Sequence, residues 1–330
     1  MKQLLVFLLL LHTSFFSFSQ KSEKEVKALR YLKKYSPTGY YIVSKTLNSP
    51  GKFKFGTWRY YLGGPPRYGS YINGKTTPRI VSSLGTVVHE MTHVYTSRLP
   101  YKILQDNQQE PKPKEKYMVI HLKGDENVLI KQTETFPSRK LTEVIPEQLR
   151  TFRFNTYIKT INPILGTQQS GVYGLLDEFS AYYHDCQTSY ELYGYYMNET
   201  QKSPQDYIDY VSDINSTFYA YAEFKHYILT YLIHAQSQYT SIYQDIMAND
   251  PFKKAFLATE VQFAQLIQDH FTRNEEITET LREQGITVRF EGEFMWIGDT
   301  GTSSFMEEYN LLMKEMEKPK YLEMMEKLKQ

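Results

Sequence analysis

The sequence predicts an α+β fold with a small β region near its N-terminus and a largely helical second lobe. Short alternating runs and clusters of Gly, Pro and Asn occupy the first half of the chain, which favours strands and hairpins there. Long apolar patterns at helical spacing dominate the second half. We therefore divide the chain into a leader at 1–19, an α/β lobe at 20–168 and a mostly helical lobe at 169–330.

The leader has the pattern of a signal peptide. Lys2 precedes an apolar run from Leu4 to Leu11, and small residues precede Gln20. The run is too short to favour a membrane helix, and no other stretch is apolar enough to span a bilayer. We expect an exported protein, either secreted, periplasmic or associated with the cell envelope, without a transmembrane segment once the leader is removed.

Composition excludes some classes of function. The formal net charge is +1 and becomes zero without Lys2, so the chain gives no indication of a nucleic-acid partner. Hydrophobic residues make up 41% of the chain, which is enough for a substantial core. The single cysteine, Cys186, excludes internal disulfides and a cysteine-based zinc site, and we expect it to be a buried structural thiol. The sequence does not specify an oligomeric state.

In the first half, we expect strands at 40–44, 53–62 and 68–72, separated by turn-forming residues. This region is the candidate for an edge strand that binds substrate along a cleft. A hairpin is predicted at 117–122 and 127–133, and a helix at 141–161.

The second half is predicted to be helical. A helix is expected at 171–184, followed by a long amphipathic helix that starts at Ser203-Pro204 and ends before Asn249. Asn274–Gln284 is expected to be a further charged helix and Ile286–Ile297 a strand. The last 25 residues are expected to be a terminal helix broken at Pro319.

The strongest functional signal is His89-Glu90-Met91-Thr92-His93. On a helix, residues four apart lie on one face, so His89 and His93 can present two imidazole nitrogens to one tetrahedral zinc ion. Glu90 can then act as a general base toward a water molecule. The flanking sequence predicts a helix that starts at Thr77-Pro78 and ends near Leu99, before Pro100.

A catalytic zinc needs a third protein ligand. Glu178 is the best candidate, because the acidic pair Asp177-Glu178 lies in an otherwise apolar helix and buried carboxylates are costly unless paired or bound to a metal. A surface carboxylate paired with Arg or Lys is the alternative interpretation of Glu178. His121 and His184 are weaker candidates for the same position.

Over residues 78–98 and 171–186 the chain resembles the gluzincin metallopeptidases, in which a downstream helix supplies a glutamate to the His-Glu-x-x-His helix. The resemblance implies a zincin-like catalytic core with Zn²⁺ held by His89, His93 and Glu178, and Glu90 as the general base. Thermolysin-like members have asparagine just before the ligand glutamate and aspartate four residues after it. This chain has Asp177 and Tyr182 at those positions.

Other side chains near the motif can complete the site. Asp177, Tyr182 and Asp185 are candidates to orient the ligand imidazoles. A hydrogen-bond donor to the oxyanion of the reaction is also expected, and no spacing rule selects it from the candidates Tyr173, Tyr182, Tyr183, His226 and Tyr227.

These features together predict a secreted zinc-dependent metallopeptidase that hydrolyses peptide or protein substrates. Two alternatives remain open at this point. One is a catalytically inactive zincin-like protein that serves as a binding or scaffold protein. The other is a zinc hydrolase of non-peptide amide bonds, such as those of the cell wall.

Overall fold

The computed structural model describes residues 22–64 and 66–330. Helix accounts for 64% of the structure, and the remaining regular structure consists of small antiparallel sheets, which is compatible with the predicted α+β class. The predicted signal peptide lies outside the described residues. Among the helices that are described, none is both long and apolar enough to cross a membrane.

The helices of the described residues follow one another along the whole chain. In order they are α1 (Glu23–Tyr35), α2 (Pro37–Leu47), α3 (Thr77–Val81), α4 (Leu84–Asp106), α5 (Phe154–Tyr157), α6 (Gly166–Gln169), α7 (Val172–Glu191), α8 (Tyr193–Asn198), α9 (Pro204–Phe218), α10 (Ala220–Gln238), α11 (Thr240–Met247), α12 (Asp250–Glu283), α13 (Met306–Met316) and α14 (Pro319–Lys329). Three short 3₁₀ helices accompany them at Tyr68–Tyr71, Ser138–Glu143 and Glu147–Leu149.

The strands form two hairpins and one three-stranded sheet. In order they are β1 (Lys52–Phe55), β2 (Trp58–Tyr61), β3 (Tyr117–Lys123), β4 (Glu126–Lys131), β5 (Val288–Glu291), β6 (Phe294–Ile297) and β7 (Thr300–Ser303). β1 pairs with β2, β3 pairs with β4, and β6 lies between β5 and β7, all antiparallel. The β3–β4 hairpin and the helix break at Pro319 confirm two predictions from the sequence.

The helix α7 lies at the centre of the fold, in contact with α4, α9, α10 and α12. At the crossing with α4, a methyl group on Gly85 would overlap with Asp185 Oδ1 and lie 2.8 Å from Ser189 Oγ. Only glycine therefore allows this approach, since a packed interior has no room for an added carbon. One continuous hydrophobic core connects α1 with α14 and includes Ala28 and Leu328.

The strand predicted at 40–44 is wrong, because these residues belong to α2. Ser36 caps this helix by accepting a hydrogen bond from the backbone N–H of Gly39, and Pro37 occupies the first turn. Ile42 and Val43 are fully buried, and α2 packs against α4. The Ser-Pro pair thus starts a helix, and burial of one helical face outweighs the strand preference of β-branched residues.

The strand predicted at 68–72 is instead the 3₁₀ helix Tyr68–Tyr71. The stretch 53–62 is a hairpin, and its β1 residues Phe53 and Phe55 pack on Leu104 in α4. Leu104 lies about three turns beyond His93. The β1–β2 hairpin therefore does not lie beside the histidine motif as the predicted edge strand. Its apolar side chains are buried at the C-terminal end of α4.

The helix that carries the histidine motif has different limits from those predicted. Ser82 and Ser83 both donate their hydroxyls to the carbonyl of Arg79, and the chain bends there, so that α3 and α4 are separate. At the other end α4 continues through Pro100 to Asp106. Packing of the last turns of α4 against the β1–β2 hairpin offsets the loss of the backbone hydrogen bond that Pro100 cannot donate.

Four further predictions need correction. Residues 141–161 contain short helical turns instead of one helix, because the Arg150 side chain donates to the carbonyls of Thr142 and Ile145. The helix that begins at Pro204 is divided at Tyr219, and 274–284 is the end of the single helix α12. The strand predicted at 286–297 is the β5–β6 hairpin, which turns at Gly292 with φ of +56°. Cys186 is buried and free, as expected.

Several histidines lie in the interior and are neutral there. Burial and the nearby Lys320 lower the pKa of His226 to about 3, and its Nε2 lies 3.1 Å from the hydroxyl of Tyr321 in α14. Burial lowers the pKa of His270 to about 4. Each remains neutral in the folded chain at pH values where an unfolded chain would protonate it.

We expect His226→Gln to reduce the loss of stability in weak acid. Between the ordinary pKa of 6.5 and the folded pKa of about 3, the unfolded chain binds a proton at His226 that the folded chain does not. The free energy of unfolding therefore falls as the pH drops below 6.5. From pH 6.5 to pH 5, the variant should lose up to about 2 kcal/mol less than the parent, measured by urea unfolding. Carboxyls such as Glu191 titrate equally in both proteins, and an equal loss would contradict the prediction.

Candidate metal centre

The α4 helix presents His89 and His93 on one face, one turn apart. The opposite face of α4 carries Val88, Met91 and Tyr95 into the core, which fixes the helix and therefore the imidazoles. The two Nε2 atoms are 3.2 Å apart. His89 is buried and His93 is partly exposed. Both rings thus direct the same nitrogen to one point at the surface of the core.

Glu178 of α7 completes a triangle of donor atoms. Its Oε2 lies 3.7 Å from His89 Nε2 and 3.5 Å from His93 Nε2. Ligands of a tetrahedral zinc ion with bonds of 2.0–2.1 Å are separated by about 3.3 Å. Glu178 Oε2 is buried and has no hydrogen-bond partner among the described residues. The three residues are therefore close enough to hold a metal ion, and their chemistry fits one.

The charges of the triangle are mutually compensated. Burial would lower the pKa of His93, but the Asp177 and Glu178 carboxylates outweigh it and hold this pKa well above its ordinary value. Burial would raise the pKa of Glu178, whereas the two imidazoles lower it to about 2. The protein alone therefore keeps a proton on His93, and a bound cation would take the place of that proton.

A carboxylate lies behind each imidazole. His93 Nδ1 donates a hydrogen bond to Asp177 Oδ2 at 2.9 Å. Asp185 Oδ2 lies 3.7 Å from His89 Nδ1, and burial raises the pKa of Asp185 to about 6. The bond from Asp177 selects the His93 tautomer with a free Nε2 and orients that ring. Asp185 is beyond hydrogen-bond distance of His89 Nδ1 and acts on that ring through its charge. Asp177 and Asp185, both predicted as orienting residues, are brought to the centre by α7.

Tyr182 forms one wall of the centre. Its ring contacts the His89 ring edge to face, with centroids 4.5 Å apart, and its hydroxyl lies 3.0 Å from the hydroxyl of Tyr157. The Arg153 guanidinium lies 4.3 Å from the Tyr182 ring centroid and forms a buried ion pair with Glu223. Tyr182 therefore restricts His89 by packing, while a buried charge pair holds Tyr182 in place.

Glu90 and Tyr71 lie together on the more open side. Glu90 follows His89 on α4 and is partly exposed, and the 3₁₀ helix with Tyr71 packs on α4. Burial and the Glu90 carboxylate raise the pKa of the Tyr71 phenol, and the nearby His93 opposes this effect. Sequence reasoning missed Tyr71 and Tyr157. Tyr71 lies in a predicted strand and Tyr157 in a predicted helix, but neither pattern places them near the histidines, because only tertiary packing does so.

Other residues considered from the sequence are engaged elsewhere. The Tyr173 hydroxyl bonds with Thr133 and Asn249, and His226 faces Tyr321. His184 Nε2 lies 3.2 Å from the carbonyl oxygen of His121, whose ring stacks on Tyr41. The three-residue ligand group contains none of them. The remaining two candidates for an oxyanion donor, Tyr183 and Tyr227, are also buried in the hydrophobic core.

Comparisons with known proteins were made on three levels. Neither the models of protein families, nor the curated proteins, nor the solved structures contain a match to this chain. The chemistry of the centre is therefore argued from its own residues.

We expect Asp177→Asn to weaken binding of Zn²⁺ by about 10- to 100-fold, because the amide cannot provide the negative charge that polarises and orients the His93 ring. A competition titration against a chromophoric chelator measures the affinity. Asp125→Asn, an exposed position in the β3–β4 turn, is the matched control and should bind Zn²⁺ as the parent does. Equal affinity of Asp177→Asn and the parent would show that Asp177 does not support the metal.

Proposed function

We propose that the protein is a zinc-dependent peptidase whose catalytic centre lies between α4 and α7. The observation that carries this proposal is the triangle of His89 Nε2, His93 Nε2 and the unpartnered Glu178 Oε2, with Glu90 next to His89 on α4. A structural metal site usually closes all four positions with protein ligands, whereas three ligands and an adjacent base are typical of a catalytic site.

The donor set supports zinc as the metal. Two imidazoles and one carboxylate form a set of ligands that catalytic zinc sites use. Calcium and magnesium prefer oxygen ligands, so the paired imidazoles disfavour them. When bound, zinc supplies a Lewis acid that polarises a carbonyl and lowers the pKa of water to about 7.

The protein's own residues then perform the proton transfers and hold the geometry. Glu90 accepts a proton from the attacking water and delivers it to the departing amine. The Tyr71 hydroxyl, on the same side as Glu90, donates a hydrogen bond to the carbonyl oxygen as negative charge develops on it. Asp177 keeps the His93 imidazole in the tautomer with a free Nε2, and the Asp185 carboxylate lies 3.7 Å behind His89 Nδ1.

The arrangement of two helices supports a zincin-like core of the gluzincin kind. In this proposal α4 is the motif helix and α7 is the helix that supplies the glutamate. The signal-peptide pattern at 1–19 supports export of the enzyme, with a peptide or protein as its substrate.

Replacement of Glu90 by Gln should lower kcat for a denatured protein substrate by at least about 100-fold while the zinc content is unchanged, because the amide cannot accept a proton. The matched control is Glu323→Gln, an exposed change on α14. Hydrolysis is followed with dye-labelled casein and with glycan-linked peptides in parallel. Wild-type activity in Glu90→Gln would contradict the proposed role of Glu90. Cleavage of the glycan-linked peptides alone would favour an amidase of the cell wall.

The Tyr71→Phe variant should lower kcat by about tenfold or more with little change in KM, since the lost hydrogen bond forms only as the oxyanion develops. Tyr61→Phe serves as the control, because Tyr61 is 68% exposed on the β1–β2 hairpin. Steady-state kinetics on a fluorogenic peptide separate the two parameters. An increase in KM with an unchanged kcat would assign Tyr71 to substrate binding instead.

A further inference from the structure

A cavity lies apart from the metal centre. It has a volume of about 630 Å³ and is enclosed by α9, the C-terminal half of α12, the β5–β6 hairpin and the segment before α13. Sites for small molecules in proteins usually have volumes of about 300–1,000 Å³. None of the elements around this cavity supplies a residue of the metal centre, so the cavity is a separate feature of the fold.

The floor of the cavity is polar and buried. Asn215 donates from its amide nitrogen to the carbonyl of Ser303 at 2.9 Å, which fixes its amide oxygen as an acceptor. His270 Nε2 lies 3.2 Å from that oxygen and therefore carries the hydrogen of this bond. Since the ring is neutral, His270 Nδ1 is left as an acceptor. It is buried, and no other described residue pairs with it.

Asn274 adds a second polar group to the floor. Its amide nitrogen lies 3.1 Å from His270 Nε2. Because Nε2 carries a hydrogen, the amide is turned so that its oxygen accepts from Nε2–H and its own N–H groups point away from the ring. Buried polar groups are nearly always paired, so the free Nδ1 of His270 on the cavity floor indicates a site for a ligand.

The walls of the cavity are apolar. Aromatic rings and thioethers dominate them, contributed by Phe218, Phe271, Phe290, Met295 and Met306. Phe290 at the mouth is 61% exposed, which is unusual for a large aromatic side chain. Flat aromatic ligands pack well against such rings and thioethers. At the rim, the carboxylates of Glu275 and Glu279 outnumber the single Arg282 and disfavour an anion.

The backbone at the edge of the cavity is strained. Phe305 has φ of 53°, in the left-handed region that a bulky residue rarely adopts. Its neighbours Ser304 and Met306 both line the cavity, and its ring stacks on Tyr219 with centroids 4.7 Å apart. Strain of this kind persists only where packing imposes it, and it is concentrated at binding and catalytic sites. The stacked ring thus fixes the cavity edge.

We propose that this cavity is a binding site for a small aromatic molecule that carries one N–H or O–H group. The aromatic body lies between Phe271 and Phe290, and its donor group points to the floor and donates to His270 Nδ1. The floor thus selects for the donor, and the walls select for the flat apolar body. The site is independent of the metal centre and of the proposed peptidase activity.

Indole and 1-methylindole test this proposal, because they share the aromatic body and differ in the N–H group. Titrations of the full chain are followed by ligand-observed NMR with saturation transfer. We expect saturable binding of indole and about tenfold weaker binding of 1-methylindole, the usual cost of one unpaired buried acceptor. Equal affinity of the two compounds, or no saturable binding of indole at millimolar concentration, would overturn the proposal.

Two variants locate the binding. His270→Gln keeps a donor for Asn215 and removes Nδ1, so it should abolish the preference for indole over 1-methylindole. Phe290→Ala removes an exposed ring without a change in the core. It should weaken the binding of both compounds by about fivefold or more. The matched control is Phe294→Ala, since Phe294 is also exposed on the same sheet but does not line the cavity. Equal effects of Phe290→Ala and Phe294→Ala would place the binding elsewhere.

Discussion

The close crossing of α4 and α7 is the constraint on which the metal centre depends. Gly85 allows the approach, and the space that its side chain would fill is occupied by Asp185. One turn after Gly85, the same carboxylate lies behind His89, and two turns earlier on α7, Glu178 faces both imidazoles. Because both imidazoles are attached to α4 and Glu178 to α7, a shift of one helix against the other would move Glu178 Oε2 away from both imidazoles at once.

The charges of the centre are compatible with a bound cation. Three carboxylates, Asp177, Glu178 and Asp185, surround two imidazoles, so the group has an excess of negative charge at neutral pH. In the protein alone, the raised pKa of His93 retains one proton and offsets part of this excess. A divalent ion would supply more positive charge at the point where Glu178 Oε2 has no partner. The buried Arg153–Glu223 pair beside Tyr182 is internally neutral and adds no net charge.

The sequence predicted those parts of the site that depend on a single helix. His89, Glu90 and His93 follow from helical spacing, and Glu178 follows from a carboxylate in an apolar pattern. Tyr71 could not be predicted, because a 3₁₀ helix has no periodic signal and its position depends on packing against α4. The strand expected at 40–44 failed for a related reason: aromatic and β-branched residues favour strands locally, whereas the cap at Ser36 and burial against α4 decide the outcome.

The departure from thermolysin-like peptidases at Tyr182 has a structural explanation. Residues 178, 182 and 185 lie on one face of α7, so a carboxylate can reach the two imidazoles from either the next turn or the one after it. In this chain, the bulky Tyr182 fills the nearer position and packs on His89, and Asp185 provides the carboxylate from the farther position. Asp185 can approach His89 only if α4 and α7 are close at Asp185, and Gly85 lies at this point of the crossing. The glycine and the displaced aspartate therefore form one coupled feature: a larger residue at 85 would push Asp185 away from His89, and Tyr182 has no carboxylate to replace it.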